Sequence, residues 1–204
     1  MVVGVTGGYC AGKDAAVKLL AAYDIAEINE DKIGHEVLAA QSAQVVEAFG
    51  GGVLNDEGRI DRKALGSIVF SNPSALGKLE SIVHPRMVEE TRKRITGSDT
   101  SHVMINAALL HRMRLHLLCD LVLLIEAPLI TRLYRAKKRD RYPTREILKR
   151  IRSQREFRKP DIRKQFLNEK GMRVDTVIVR NCASVNVLSK RLAHILSEHG
   201  MIGR

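Results

Sequence analysis

Tryptophan is absent from this 204-residue sequence, and aromatic residues make up only 4% of it. The sequence therefore lacks the interleaved aromatic side chains on which single-stranded nucleic acids stack. Its three cysteines have neither CxxC nor metal-ligand spacing, which argues against a disulfide framework and a zinc site and predicts reduced intracellular thiols. The most apolar segment, LVLLIEAPLI, is too short to span a membrane and contains Glu126 and Pro128. We expect a globular, cytoplasmic protein without a signal peptide or a membrane partner.

Positive charge is concentrated in one segment of the chain. Between Arg132 and Lys164 the sequence has fifteen Lys or Arg residues and four Asp or Glu residues, so this window carries the whole net charge of +11. Such a segment could bind nucleic acid, lie on an anionic membrane or close over a polyphosphate. A solvated basic helix face without a ligand is the alternative interpretation, and composition leaves it open.

A phosphate-binding loop is predicted near the N-terminus. The segment GGYCAGKD, residues 7–14, has the Gly-x4-Gly-Lys spacing of a loop whose backbone N–H groups surround nucleotide phosphates. The apolar VVGVT before it predicts a buried strand and AAVKLLAAY after it predicts a helix, which is the context that this loop requires. The last position is unusual, because Asp14 stands where Ser or Thr normally provides a hydroxyl for Mg²⁺.

Strand and helix patterns alternate along the chain. The segments VVGVT, DIAEIN, HVMINA, DLVLLIEA and DTVIVRN predict strands, and helical spacing separates them. This alternation predicts an α/β fold with a parallel sheet and helices on both faces. Ligands of such a sheet bind at the carboxyl ends of its strands. We expect the glycine loop, Asp31 after the second strand and Asn106 on the third to face one crevice, as phosphoryl transfer requires.

Spacing and proline also predict where helices run and break. Helical spacing continues from Lys32 to Phe49. From Arg62 to Ile95 two helices are expected, separated near SNPSA. A kink or a new start is expected around His84 and Pro85, because proline lacks the N–H that a helix interior uses.

An ordered series of motifs resembles the dephospho-CoA kinase family, P-loop kinases that act in the last step of coenzyme A synthesis. GVTGGYCAGKD is similar to the family's opening loop, and INEDKIGHEVL is similar to its Asp-Lys-Ile-x-His segment. The most specific stretch is FGGGVLNDEGRIDRKALGSIVFSNPSALGKLESIVHP, which keeps the family's spacing throughout. RLYRAKKRD and RIRSQ resemble its arginine-bearing lid, and VDTVIVRN resembles its last strand. The resemblance therefore covers nearly the whole chain.

This resemblance implies a P-loop NTPase-type three-layer fold with a helical acceptor-binding insertion and a basic lid. A single kinase unit, 1–204, would consist of a core (1–30, 101–131 and 172–204), an acceptor (CoA-binding) subdomain (31–100) and the lid (132–171). The implied reaction is ATP-dependent phosphorylation of the ribose 3′-hydroxyl of dephospho-CoA, giving coenzyme A and ADP. ATP and dephospho-CoA are the expected partners and Mg²⁺ the expected cofactor. Nucleic acid is not expected as a partner, and a homo-oligomer stays open.

The resemblance also implies site residues. Lys13 would neutralise the β- and γ-phosphates, Asp31 would accept or orient the proton of the ribose hydroxyl, and Arg139 would close over the transferring group. The expected ATP-binding residues are Gly8, Tyr9, Cys10, Ala11, Gly12, Lys13, Asp14, Ala15, Arg135 and Asn181. The expected acceptor-binding residues are Asp31, His35, Arg62, His84 and Arg86. Two alternatives stay open: Asp31 could be the N-cap of the helix that follows, and Arg135 and Arg139 could be solvated.

Several residues depart from the family's pattern. NAALLHR stands where the family has Asp-x-Pro-Leu-Leu-x-Glu, so Asn106 and Arg112 replace acidic residues, and Arg132 replaces a glutamine. Because the loop gains a carboxylate at Asp14 while the third strand loses one, we hypothesise that Asp14 holds Mg²⁺ or its waters, with Asn106 acting through water.

The departures leave two other functions open. One is a related P-loop kinase with another acceptor, such as a nucleoside monophosphate, although the specific stretch from Phe49 to Pro85 argues against it. The other is a catalytically degenerate protein that binds nucleotide, or binds nucleic acid through the basic lid. Asn106, Arg112 and Arg132 favour the degenerate protein, whereas Lys13 and Asp31 oppose it.

Overall fold

The computed structural model describes residues 1–140, 142–154, 162 and 165–203. These residues form two compact units, one of residues 1–28 and 97–204 and the other of residues 29–96. No helix in the described part of the chain has the length and apolar character that crossing a membrane requires. The predicted basic window, 132–164, and the predicted lid, 132–171, lie partly outside the described residues.

A five-stranded sheet forms the centre of the first unit. Its strands are β1 (Val2–Gly7), β2 (Ile25–Asn29), β3 (His102–Asn106), β4 (Leu121–Glu126) and β7 (Thr176–Arg180), in the order β2-β3-β1-β4-β7. β1 pairs in parallel with β3 and β4, and β4 pairs in parallel with β7. The predicted α/β fold with a parallel sheet is confirmed. A short antiparallel pair, β5 (Phe166–Leu167) and β6 (Arg173–Val174), was not predicted, because two-residue strands leave no periodicity to detect.

The sheet is buried because helices cover it. All five residues from Leu121 to Ile125 in β4 are fully buried, as expected for a parallel strand covered on both faces. Two helices of the first unit, α1 (Lys13–Leu20) and α8 (Val185–Glu198), pack their apolar residues into this core. At Gly4 in β1, an added Cβ would lie 2.7 Å from Leu110 and 2.8 Å from Cys119. The packing there therefore requires glycine.

Two basic helices lie next to the phosphate-binding loop. They are α6 (Leu129–Asp140) and α7 (Thr144–Ser153), and Pro143 is the N-cap of α7. Their buried residues Ala136, Ile147 and Ile151 form a small apolar cluster. Tyr9 and Cys10 of the loop pack against this cluster. The apolar residues of the basic helices therefore contact the loop.

Four helices build the second unit: α2 (Glu30–Ala40), α3 (Ser42–Phe49), α4 (Arg62–Ser71) and α5 (Pro73–Thr96). They enclose a separate apolar core around Val45, Val53, Leu65 and Val69. The continuous helix predicted from Lys32 to Phe49 is wrong, because α2 ends before Gln41 and α3 begins at Ser42.

Of the kink or new start predicted at His84 and Pro85, the new start is wrong. α5 runs through Pro85 as one helix of 24 residues. Residues on both sides of the proline, Val83, Met87 and Thr91, are buried in the second unit. Packing of this face offsets the loss of the one backbone hydrogen bond that proline cannot form.

One buried carboxyl group stands out in the second unit. Glu30, at the start of α2, is only 4% exposed, and its Oε1 accepts a hydrogen bond of 2.7 Å from the hydroxyl of Thr91, which is itself fully buried. Its Oε2 has no hydrogen-bond partner among the described residues. Burial raises the pKa of Glu30 to about 7, although the Thr91 hydrogen bond and the charge of Arg94 lower it in part. The folded protein therefore binds a proton here that the unfolded chain releases near pH 4.5.

This proton makes stability depend on pH. Because the pKa of Glu30 is raised on folding, its contribution is fully present below about pH 4.5 and is lost as the pH rises towards 7. We expect Glu30→Gln to remove this dependence, so that the variant gains up to about 3 kcal/mol over the natural protein between about pH 5 and about pH 8. Urea unfolding across this pH range measures it.

The matched control is Glu47→Gln, at an exposed glutamate of the same unit. The difference in unfolding free energy between this control and the natural protein should not change with pH. If the difference in unfolding free energy between Glu30→Gln and the natural protein were also constant between about pH 5 and about pH 8, Glu30 would be ionised in the folded state.

Candidate active site

The loop between β1 and α1 has the backbone shape of an anion site. Cys10 and Gly12 have positive φ angles of 57° and 98°, and Ala11 N donates to Gly8 O at 2.9 Å. This alternation of backbone conformations turns successive N–H groups towards one point. Gly12 is the N-cap of α1 and carries no side chain that could accept from the first-turn N–H groups. An anion can take that place.

The carbonyl groups of the loop are held by side chains from other elements. Asn181, which follows β7, donates from Nδ2 to Ala11 O at 2.9 Å, and Arg135 in α6 donates from Nη1 to the same oxygen at 3.1 Å. Arg132, also in α6, donates from Nε to Tyr9 O at 2.7 Å. These side-chain hydrogen bonds hold the loop in its shape.

Arg139 lies near the loop but pairs with its own neighbour. Its guanidinium donates to both carboxylate oxygens of Asp140, at 2.8 and 3.1 Å, and its Cζ lies 5.2 Å from the ring centre of Tyr9. The hydroxyl of Tyr9 donates to Asp140 as well. The Arg139 bond, assisted by Tyr9, lowers the pKa of Asp140 to about 2, so this carboxylate stays ionised.

Lys13 meets the third strand. Its Nζ donates to Oδ1 of Asn106 at the end of β3 and lies 3.4 Å from Oδ1 of Asp14. The side chain of Lys13 is 15% exposed, whereas that of Asp14 is 72% exposed and points into solvent. The other end of the Asn106 amide, Nδ2, donates to Oε1 of Glu27 in β2 at 2.7 Å. Lys13, Asn106 and Glu27 thus form one hydrogen-bonded chain.

These side chains fit a Mg²⁺ ion that arrives with a nucleotide. Among the described residues, no group of three or more His, Cys, Asp or Glu could hold a metal ion. The exposed carboxylate of Asp14 is a hard oxygen ligand beside Lys13. The water-mediated role expected for Asn106 is not supported, because this buried amide is hydrogen-bonded at one end to Lys13 and at the other to Glu27. Mg²⁺ commonly keeps several waters and phosphate oxygens, so a site with few protein ligands suits it.

A cavity of about 350 Å³ adjoins the loop in the first unit. Residues from the ends of β4 and β7 and from the two basic helices line it, among them Gly8, Glu126, Arg132, Gln154 and Cys182. The side chain of Gln154 also accepts from Tyr9 N. The size and mixed polar and apolar lining suit a planar base attached to phosphates on the loop.

Asp31 lies in the second unit, exposed in the first turn of α2. The N-cap of this helix is Asn29, whose Oδ1 accepts from Asp31 N at 3.1 Å and from Lys32 N at 3.2 Å. The capping alternative for Asp31 is therefore wrong. Its carboxylate is available for another task.

The predicted acceptor residues of the second unit separate into two groups. His35 and Arg62 line one cavity of about 390 Å³, together with Arg59, which sequence reasoning missed. His84 and Arg86 lie on α5 and do not line that cavity, and Arg86 forms an ion pair with Glu89 at 3.2 Å.

Comparison with known proteins identifies the family. The sequence model described as dephospho-CoA kinase matches residues 1–181. The chain belongs to the dephospho-CoA kinase family. A dephospho-CoA kinase of Halalkalibacterium halodurans is 31% identical over 209 residues, which cover 99% of this chain and 98% of that protein.

Two further comparisons differ in coverage. The dephospho-CoA kinase of Borreliella burgdorferi is 38% identical over 128 residues, and the chain spans 62% of the length of that relative. The solved structure of TT1252 from Thermus thermophilus is 25% identical, with a TM-score of 0.78 and coverage of 97% of each chain.

Glu27 is a residue near the phosphate-binding loop that sequence reasoning missed. A signal was present, because Glu27 is the one charged residue within β2, IAEIN. A charged residue at such a position indicates a side chain that faces solvent or a polar partner. Its partner could not be identified from the sequence, since Asn106 lies 79 positions further along the chain.

The position of Gly12 has no room for a side chain. An added Cβ there would overlap Nδ2 of Asn181, and the backbone has a φ of +98° that other residues adopt with strain. We expect Gly12→Ala to weaken ATP binding by about 10- to 100-fold, because strain of about 1–3 kcal/mol displaces the loop N–H groups. Titration calorimetry with ATP and Mg²⁺ measures it.

Gly77→Ala is the control, because an added Cβ there would have no described atom within 4 Å. This variant should bind ATP like the natural protein. Equal ATP affinity of Gly12→Ala and Gly77→Ala would contradict the proposed position of the phosphates.

Proposed function

We propose that this chain transfers the γ-phosphate of ATP to the ribose 3′-hydroxyl of dephospho-CoA, giving coenzyme A and ADP. The match of residues 1–181 to the dephospho-CoA kinase family supports this function most directly. The geometry of the loop supports the binding of ATP. Lys13 lies at the start of α1. The carbonyl groups of the loop accept hydrogen bonds from Arg132, Arg135 and Asn181. A cytoplasmic location and a requirement for Mg²⁺ belong to the same proposal.

ATP binds with its phosphates on the loop in this proposal. The N–H groups of the loop and of the first turn of α1 surround the phosphate oxygens, and Lys13 neutralises the β- and γ-phosphates. The base occupies the cavity of about 350 Å³ beside the loop. Bound Mg²⁺ would neutralise charge that develops on the phosphates, and Asp14 would hold it.

The transfer itself needs positioning and charge rather than a covalent intermediate. The acceptor's 3′-oxygen forms a bond to the γ-phosphorus while the bond from that phosphorus to the β,γ-bridging oxygen breaks, and ADP leaves. Asp31 accepts the proton of the hydroxyl. Arg139 exchanges its bond to Asp140 for the transferring phosphoryl group, since phosphate oxygens bind a guanidinium in the same two-bond geometry as a carboxylate.

The second unit binds the acceptor. Its cavity of about 390 Å³ has two guanidinium groups, Arg59 and Arg62, and the imidazole of His35 in its lining. Guanidinium groups suit the diphosphate of dephospho-CoA. His84 and Arg86 remain proposed acceptor residues, and Arg86 would exchange its ion pair with Glu89 for the substrate.

The first experiment is ADP release by the purified protein with ATP and Mg²⁺, with dephospho-CoA, with AMP or without acceptor. We expect release that requires dephospho-CoA, with coenzyme A identified by mass spectrometry, because the chain belongs to this kinase family. Release that requires AMP would identify a nucleoside monophosphate kinase. A protein that binds ATP but releases no ADP with any acceptor would be a degenerate kinase.

Asp31 can be tested separately from ATP binding. We expect Asp31→Asn to lower kcat by about 100-fold with the KM for ATP changed by less than about threefold, because a general base acts on the transfer and not on the nucleotide. Steady-state kinetics measures both constants. Asp99→Asn, at an exposed aspartate, is the control with unchanged kinetics. A natural kcat in Asp31→Asn would remove Asp31 from the mechanism.

A further inference from the structure

Three side chains from three elements form a line that ends at the phosphate-binding lysine. Lys13 in α1 donates to Oδ1 of Asn106 in β3, and Nδ2 of Asn106 donates to Glu27 in β2 at 2.7 Å. Asn106 is buried, with 7% of its surface exposed, so its amide has little access to water as an alternative partner. Both of its hydrogen bonds go to ionisable side chains, and such bonds are stronger than neutral ones.

The two partners determine which way the amide points. An ammonium group can only donate and a carboxylate can only accept, whereas an amide has one donor end and one acceptor end. Only the orientation with Oδ1 towards Lys13 and Nδ2 towards Glu27 satisfies all three groups. Without the Glu27 charge, the amide could turn its NH₂ group towards Lys13, where two donors would face each other.

Glu27 also restores the charge balance that Asn106 disturbs. The family's aspartate at this position would place a carboxylate directly beside the lysine, and Asn106 provides none. Glu27 provides that negative charge one side chain further from Lys13. Asp14 is also close to Lys13, at 3.4 Å, and both Asp14 and Glu27 are exposed, but Glu27 is the carboxylate to which the amide of Asn106 donates.

We propose that Glu27 is a positioning residue for phosphoryl transfer: it fixes the Asn106 amide so that Oδ1 holds the Lys13 ammonium group at the nucleotide phosphates. Glu27 then does the work of the missing third-strand aspartate, with Asn106 as the connection. The effect of Glu27 on phosphoryl transfer rests on the proposed function. Its effect on the position of Lys13 and on ATP binding does not depend on that function.

A charge exchange between the two positions tests the proposal. Glu27→Gln removes the charge and should lower kcat by about fivefold. Asn106→Asp places a second carboxylate against Glu27 and should lower kcat by about tenfold, which corresponds to about 1.4 kcal/mol. In the double variant, the amide introduced in β2 can donate to the carboxylate introduced in β3, which pairs with Lys13 directly. We expect the double variant to recover kcat to within about threefold of the natural enzyme.

Recovery in the double variant shows that the two positions act through their contact. Melting temperatures separate positioning from structure, because a merely structural role of Glu27 would lower the melting temperatures of the single variants in parallel with kcat, whereas a positioning role leaves them near that of the natural protein. Glu47→Gln, at an exposed glutamate outside this line, is the control with unchanged kinetics. Additive losses, or a natural kcat in Glu27→Gln, would overturn the proposal.

The competing explanation has its own double variant. If Asp14 replaces the missing aspartate, then Asp14→Ser combined with Asn106→Asp should recover activity, and Glu27→Gln combined with Asn106→Asp should not. That result would overturn the proposal. Recovery with Glu27→Gln and continued loss with Asp14→Ser would support it.

Titration calorimetry measures the affinity for ATP in the absence of an acceptor. This measurement tests the role of Glu27 independently of phosphoryl transfer. We expect Glu27→Gln and Asn106→Asp each to weaken ATP binding by about fivefold, and the double variant to recover it to within about twofold. Absence of any ADP release by the natural protein would refute the proposed function alone. Unchanged ATP affinity in Glu27→Gln would refute the role of Glu27 alone.

Discussion

The shape of the phosphate-binding loop depends on side chains from distant elements that donate hydrogen bonds to its carbonyl groups. Ala11 O accepts from Asn181 and Arg135, and Tyr9 O accepts from Arg132, so the end of β7 and the helix α6 both determine the loop's shape. The same closeness leaves no room for a Cβ at Gly12. The sheet positions these partners, since it places β7 beside β4 and β4 beside β1.

Charged groups around this loop are hydrogen-bonded to other side chains. Arg139 binds Asp140, and Lys13 binds Asn106, which in turn binds Glu27. Pairing prevents the like charges of a strongly basic segment from repelling one another.

Local patterns predicted much of the fold and part of the candidate site. The run LVLLI predicted a strand buried on both faces, and the five residues Leu121 to Ile125 are fully buried. Spacing could not predict the end of α2 before Gln41 or the continuity of α5 through Pro85, because packing within the second unit outweighs local preference there. The N-cap role of Asn29 shows the same limit, since either Asn29 or Asp31 is a favoured cap residue.

By itself, the sequence determined the glycine loop, the alternation of strands and helices and the family, because each depends on residues close together in the chain. Tertiary structure decided which polar groups meet. Asn106 contacts Glu27, 79 positions away, and Asn181 contacts Ala11, 170 positions away. Such contacts follow from strand order and register, which bring the ends of distant strands to one edge of the sheet. No local pattern carries that information.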